Sequence, residues 1–159
     1  VGVRLSPLSA FNDMSDANPE ETFGSVVEAL NELRPVYLHV VEEASGEGAP
    51  TDQDRALFAR LRSAWKWLYV ANGGYDAERG ESVVARQYAD AVAYGKLFLA
   101  NPDLPRRLRL RGPLNEPDRA SFYGGNEYGY TSVYLEISPP IRLVWRHVSN
   151  RAQAGDSMT

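Results

Sequence analysis

Two short segments of this sequence have the residue types of an anion-binding site. Asn72, Gly73 and Gly74 directly follow the apolar run "WLYVA", and a similar run, "AVAY", precedes Gly95 and Lys96. Adjacent glycines let backbone N–H groups approach an anion closely, and a helix that begins just after them adds its dipole. Either segment alone fits an ordinary turn, with Lys96 as a solvated charge. Together they predict a phosphate site in which Lys96 supplies a full positive charge.

Four further side chains are candidates for chemistry, and each also has an ordinary structural interpretation. Arg4 in "VGVRLSP" fits a salt-bridged strand-end arginine, and Tyr123 in "SFYGG" fits a packed loop aromatic. For His39 in "VYLHVVE", a hydrogen-bonded core histidine is favoured over a catalytic base. Glu42 ends the same run and is an acid/base candidate at a strand end.

The composition excludes several classes of protein. The chain has 159 residues, 43% of them hydrophobic and 24% charged, which suits one folded domain. A formal charge of −4 without an evident basic face argues against nucleic-acid binding. There is no cysteine, and His39 and His147 are too far apart to suggest a metal site. No apolar run approaches the roughly 18 residues of a membrane span, so no segment is predicted to cross a membrane. The expected location is cytoplasmic.

Four apolar segments have the short, continuous pattern of strands that are buried on both faces of a parallel sheet. Helical patterns separate them, which predicts the order βαβαβαβ, a parallel α/β fold and a terminal helix near Pro102–Leu108. The predicted strands are Val1–Leu5, Val36–Val41, Leu68–Ala71 and Ala91–Tyr94.

The first helix has the clearest start. Asn18 predicts its N-cap, Pro19 its first position and Glu21 the partner of a capping box. Its predicted apolar face is Phe23, Val26, Val27, Leu30 and Leu33.

Polar residues also predict the starts of the other two helices. The second begins after Thr51 or Asp52, and the third begins at Asp76. Their inward residues are predicted to be Leu57, Phe58, Leu61 and Trp65 in the second, and Val83, Val84 and Tyr88 in the third.

Two consecutive phosphate loops resemble those that follow strands 7 and 8 of a (β/α)8 barrel. The predicted fold is therefore the second half of a TIM barrel, strands 5 to 8, because a complete barrel needs about 250 residues. The chain opens inside a strand-like run without Met, so we expect residue 1 to be an internal position of a longer protein. After Arg109 the sequence predicts an irregular loop.

Seven segments in one order resemble the old yellow enzyme family, the FMN-dependent ene-reductases, over about residues 1–131. They are "VGVRLSP", "FNDM", "ANPEETFGSVVEALNEL", "YLHVVE", "ANGGYDAERGE", "VAYGKLFLANPDLPRRL" and "PLNEPDRASFYGGNEYGYT". The resemblance implies FMN as cofactor and NAD(P)H as reductant. The substrate that it implies is an activated alkene, such as an α,β-unsaturated carbonyl or a nitro compound.

The resemblance also implies roles for individual residues. Arg4 matches the arginine against the pyrimidine edge of the flavin, where its charge would favour the anionic reduced ring. Asn72, Gly73 and Gly74 match one phosphate loop, while Gly95 and Lys96 match the second. Many members have arginine where this chain has Lys96, so we expect phosphate binding without the bidentate fork. Tyr123 matches an aromatic residue of the substrate pocket.

Two departures from the family pattern limit what this chain is expected to do alone. The family's substrate-anchoring pair and its proton-donating tyrosine belong to the first half of the barrel, so no catalytic residue is assigned here. Residues 132–159 resemble nothing in the family and are predicted to be a tail of unrelated origin.

Three functions remain open from the sequence. The chain is part of a working ene-reductase that needs its N-terminal half, or an inactive remnant that self-associates and binds FMN or phosphate weakly. The third is a non-flavin barrel enzyme, an aldolase or synthase, with Glu42 as acid/base, against which the seven segments argue. Exposed strand edges predict pairing with the missing half or self-association. No metal, nucleic-acid or membrane partner is expected.

Overall fold

Short apolar segments form one parallel sheet in the computed structural model, which describes residues 1–43 and 49–122. The sheet order is β1-β2-β3-β4, and all three strand pairs are parallel. No strand end differs by more than two residues from its predicted position, and the predicted parallel α/β fold is confirmed. The strands are β1 (Val3–Leu5), β2 (Tyr37–Val41), β3 (Leu68–Asn72) and β4 (Ala91–Ala93).

Helices connect consecutive strands and follow the last one. They are α1 (Pro19–Leu33), α2 (Asp52–Ala64), α3 (Ala77–Ala85), α4 (Lys96–Ala100) and α5 (Leu104–Leu110), with short 3-10 turns at Phe11–Asp13 and Arg119–Ser121. None of the helices in the described part of the chain is long and apolar enough to cross a membrane.

Capping residues set the helix starts as predicted. Asn18 accepts a hydrogen bond from the Glu21 N–H at 3.4 Å, and its own Nδ2 donates to the Glu21 carboxylate. The predicted capping box with Glu21 does not form, because the Asn18 N–H donates to Asp16 at 2.7 Å instead. Thr51, rather than Asp52, caps α2 and forms a reciprocal capping box with Asp54. These bonds satisfy N–H groups that have no partner inside a helix.

Alternation along the strands gives the sheet two different faces. One face packs against α1 and α2 and forms the core, in which Leu38, Val40, Tyr69 and Ala71 are fully buried. The opposite side, called the open face here, carries Arg4, Tyr37, His39, Leu68, Val70, Asn72, Ala91 and Ala93.

Two positions predicted to be buried are exposed. Leu33, the last residue of α1, is 77% exposed, and Val84 on α3 is 42% exposed. The predicted terminal helix near Pro102–Leu108 is α5, and a helix that was not predicted, α4, precedes it. Asn101, which precedes a proline, separates the two with an extended ψ of 84°. Predictions for residues 123–159, including the unrelated tail, lie outside the described residues.

Candidate functional site

The turn after β3 requires glycine at its first position. Gly73 has φ of 125° and Gly74 has φ of 57°. A Cβ on Gly73 would lie 2.9 Å from the carbonyl carbon of Glu42, whereas a Cβ on Gly74 would meet nothing within 4 Å. We call residues 72–76 the glycine turn: it packs tightly below Gly73 and is open above Gly74, where an anion has room to reach the backbone.

The segment after β4 is equally open. Gly95 is the N-cap of α4 and makes no side-chain capping bond, and a Cβ there would also meet nothing within 4 Å. Lys96 is exposed at the first position of α4 and forms no ion pair with any described residue. Its ammonium group is therefore available to a ligand.

The structure brings these two predicted segments together. Asn72 and Ala93 are register partners in the β3–β4 pair, so the two segments leave the sheet side by side. The Asn72 side chain also donates from Nδ2 to the Ala93 carbonyl at 2.7 Å. This bond fixes the spacing of the two segments and commits the Asn72 amide to the protein rather than to solvent.

Arg4 lies at the other side of the sheet. It is an exposed residue on the open face of β1 and is the register partner of His39 on β2. Two strand spacings of about 4.8 Å each separate β1 from β3. Arg4 is therefore about 10 Å across the sheet from Val70, the β3 residue at its level, and the glycine turn begins two residues farther along β3.

The prediction of a satisfied core histidine at His39 was wrong. His39 lies on the open face, opposite the helix-packed core, and its buried Nε2 has no hydrogen-bond partner among the described residues. Burial, and then the charge of Arg4, lowers the pKa of His39. The imidazole is thus held neutral beside a guanidinium.

Glu42 is the residue whose environment the sequence did not reveal. It is 4% exposed, and its carboxylate accepts hydrogen bonds from three tyrosine hydroxyls. Tyr69 donates to Oε1 at 2.7 Å, Tyr88 to Oε1 at 3.1 Å and Tyr75 to Oε2 at 2.6 Å. We call these four residues the Glu42 cluster.

All three tyrosines of the Glu42 cluster donate to its carboxylate. Burial first, and then the Glu42 carboxylate, raises the pKa of all three hydroxyls above the ordinary value of tyrosine. Arg79 stacks on the Tyr75 ring at 4.4 Å and Arg62 on the Tyr69 ring at 5.4 Å. A carboxylate with three donors and no solvent is unsuited to acid/base exchange with a substrate.

The remaining sequence expectations concern Tyr123 and a metal site. Tyr123 lies outside the described residues. Within residues 1–43 and 49–122, no group of three or more His, Cys, Asp or Glu side chains is arranged to hold a metal ion.

Comparison with known proteins gives consistent matches. The model of the NADH:flavin oxidoreductase / NADH oxidase family matches residues 1–115. A curated rice protein (Oryza sativa subsp. japonica) named putative 12-oxophytodienoate reductase 10 is 42% identical over 137 residues, covering 82% of this chain and 43% of that protein.

Two solved structures are similar to this chain. The old yellow enzyme from Trypanosoma cruzi superimposes with a TM-score of 0.74 at 30% identity, covering 84% of this chain and 34% of that one. Morphinone reductase in complex with tetrahydroNAD superimposes with a TM-score of 0.71 at 37% identity, covering 84% and 35%. The chain thus spans less than half the length of these relatives.

Proposed function

The chain belongs to the NADH:flavin oxidoreductase / NADH oxidase family, that of the old yellow enzymes, and from this we propose that it is the FMN-binding second half, strands 5 to 8, of a (β/α)8 ene-reductase. FMN is the cofactor of this family and a reduced nicotinamide its reductant. In this proposal residues 1–131 form the barrel half and residues 132–159 a separate tail.

The phosphate end of the site carries the proposal. The glycine turn and the start of α4 lie side by side, both with open space above a glycine, and Lys96 is unpaired within the described residues. Backbone N–H groups and one cation converging on one point are what a phosphate monoester requires. Gly73, Gly74, Gly95 and Lys96 would hold the FMN phosphate, with Asn72 fixing the two segments in place.

Arg4 would hold the opposite end of the cofactor. Its exposed side chain lies on β1, two strands away from β3 and its glycine turn, so the cofactor would extend across the sheet between the two. A fixed positive charge at the pyrimidine edge stabilises negative charge on the reduced ring. The neighbouring His39 is neutral, so the positive charge at this position is that of Arg4.

FMN, when bound, supplies the hydride chemistry between NAD(P)H and an activated alkene such as an α,β-unsaturated carbonyl or a nitro compound. The residues of this chain bind and orient the cofactor. We assign the donors that polarise the substrate, and the tyrosine that protonates it, to the portion of the family's length that this chain does not span. Tyr123 is proposed to line the substrate pocket.

Of the two alternative functions, the non-flavin barrel enzyme is disfavoured and the inactive remnant retains support. An aldolase or synthase using Glu42 is disfavoured because three tyrosines saturate that carboxylate. An inactive remnant that self-associates is favoured by the apolar surface on the open face, where Tyr37 is 40% and Leu68 45% exposed. The missing half of the barrel, or a second copy of this chain, would cover that surface.

An FMN titration of the purified chain, followed by flavin fluorescence, tests the proposal. Lys96→Ala should weaken binding by about tenfold, since a charge-assisted contact to phosphate is lost. Lys66→Ala is the matched control, because Lys66 is the only other lysine and precedes β3 at the opposite end of the sheet. Equal affinity in all three proteins, or no saturable binding at all, would contradict an autonomous phosphate site.

A further inference from the structure

We propose that Glu42 is a positioning residue for the phosphate site: through Tyr75 it holds the glycine turn in the conformation that binds an anion. This inference rests on the proposed function, because it concerns the same turn. It assigns a task to a buried carboxylate whose two oxygens both accept from tyrosine hydroxyls.

Glu42 contacts the glycine turn in three ways. Its N–H donates to the Asn72 carbonyl at 2.6 Å, and its own carbonyl carbon lies against Gly73 so closely that no Cβ fits between them. Its Oε2 accepts the Tyr75 hydroxyl at 2.6 Å. Glu42 therefore holds three residues of the turn. Its backbone contacts Asn72 and Gly73, and its side chain binds Tyr75.

The other carboxylate oxygen anchors Glu42 to residues outside the glycine turn. Oε1 accepts from Tyr69 in the middle of β3 and from Tyr88 in the segment between α3 and β4. The Tyr69 ring is fully buried in the core and meets the Tyr88 ring edge-on at 6.2 Å. Tyr75 is thereby tied to the core rather than to another surface group.

If only its negative charge mattered, Glu42 would weaken phosphate binding rather than support it. A carboxylate near a phosphate site repels the anion through the low-dielectric interior. Removing its charge should then tighten phosphate binding if charge dominates, and weaken it if positioning dominates. The two accounts thus differ in sign for the isosteric Glu42→Gln substitution.

The experiment compares FMN with riboflavin, which lacks the phosphate, in four forms of the full chain: wild type, Glu42→Gln, Tyr75→Phe and Tyr88→Phe. Tyr88→Phe is the matched control, since it removes one hydroxyl from the same carboxylate but on the side away from the turn. We expect Glu42→Gln and Tyr75→Phe to raise the FMN dissociation constant by about tenfold, the usual effect of losing a hydrogen bond to a charged group. Riboflavin affinity should not change.

Two results would overturn the inference. One is a tighter FMN complex in Glu42→Gln, and the other is a loss of affinity that is equal for FMN and riboflavin, as a general loss of stability would give. If Glu42→Gln does not fold, Tyr75→Phe, which removes one hydroxyl only, decides between these results.

Amide hydrogen exchange at Gly73, Gly74 and Asp76 separates this inference from the proposed function. If wild-type chain binds FMN no better than riboflavin, the phosphate assignment is wrong, and so is the part of the inference that concerns anion binding. Faster exchange at the turn in Tyr75→Phe but not in Tyr88→Phe would still support the ordering role of Glu42. Unchanged exchange in both variants would refute that role.

Discussion

At the scale of single residues, Gly73 shows how one position serves both the fold and the site. Its φ of 125° is open to glycine but costly for other residues, and the backbone of Glu42 occupies the space of a side chain. Gly74 shares a positive φ but faces open space. The first glycine is therefore needed for packing, while the second leaves room for a ligand.

Gly73→Ala should lower the free energy of unfolding by about 2–3 kcal/mol, through backbone strain and the contact with Glu42. Gly24→Ala is the control: Gly24 lies inside α1 with nothing within 4 Å of a built Cβ. It should raise stability by about 0.5–1 kcal/mol, because alanine loses less backbone entropy in a helix. Urea unfolding of both variants measures the difference, and equal effects at the two positions would contradict this assignment.

At the scale of elements, two asparagines hold α4 in place. Asn101 is fully buried and donates to the Leu97 and Asn115 carbonyls, while its Oδ1 accepts from the Asn115 N–H at 2.8 Å. Asn115 returns a bond from Nδ2 to the Ala100 carbonyl at 3.0 Å. Because α4 has only five residues, its own hydrogen bonds are few, and this reciprocal pair holds its C-terminal end against residue 115.

Asn101→Ala and Asn115→Ala should each lower the free energy of unfolding by about 1–3 kcal/mol, since each leaves backbone groups without partners. The double variant should cost less than the two single variants added together, by at least about 1 kcal/mol, because the residues share their bonds. A double-mutant cycle in urea measures this coupling energy. Strictly additive losses would mean that the two residues act independently.

At the scale of the whole molecule, the sheet is covered on one face and exposed on the other. The helices pack on the core face, while the open face carries half-exposed Tyr37 and Leu68, and β1 and β4 are edge strands. In the described residues this is the surface that a sheet closing into a barrel would bury. The chain's share of its relatives' length, 34% to 43%, is consistent with that interpretation.

We expect the purified chain to self-associate at micromolar concentration through the open face. Leu68→Lys should shift the equilibrium towards monomer by placing a charge on that face. Leu33→Lys adds the same charge at an exposed position on α1 and should leave the equilibrium unchanged. Sedimentation velocity measures the distribution, and a monomeric wild-type chain would contradict the prediction.

Local chemistry determined most of the fold and the positions of the predicted phosphate loops. Strand bounds follow from short apolar runs, and Asn18, Thr51 and Asp76 cap their helices by bonds to residues three positions away. The positive φ of Gly73 likewise arises within one turn, whereas its close contact with Glu42 is tertiary. The local interactions are encoded over a few neighbouring residues, so the sequence displays them directly.

Only the tertiary structure decided the environments of Glu42, His39 and Leu33. The three tyrosines that saturate Glu42 are 27, 33 and 46 positions away in the chain, and parallel pairing brings them to one point. The face on which His39 lies depends on which side the helices cover, and the exposure of Leu33 depends on which elements pack against the end of α1. Burial and charge partners set by distant residues have no local signal, and they turned a candidate acid/base into a structural acceptor.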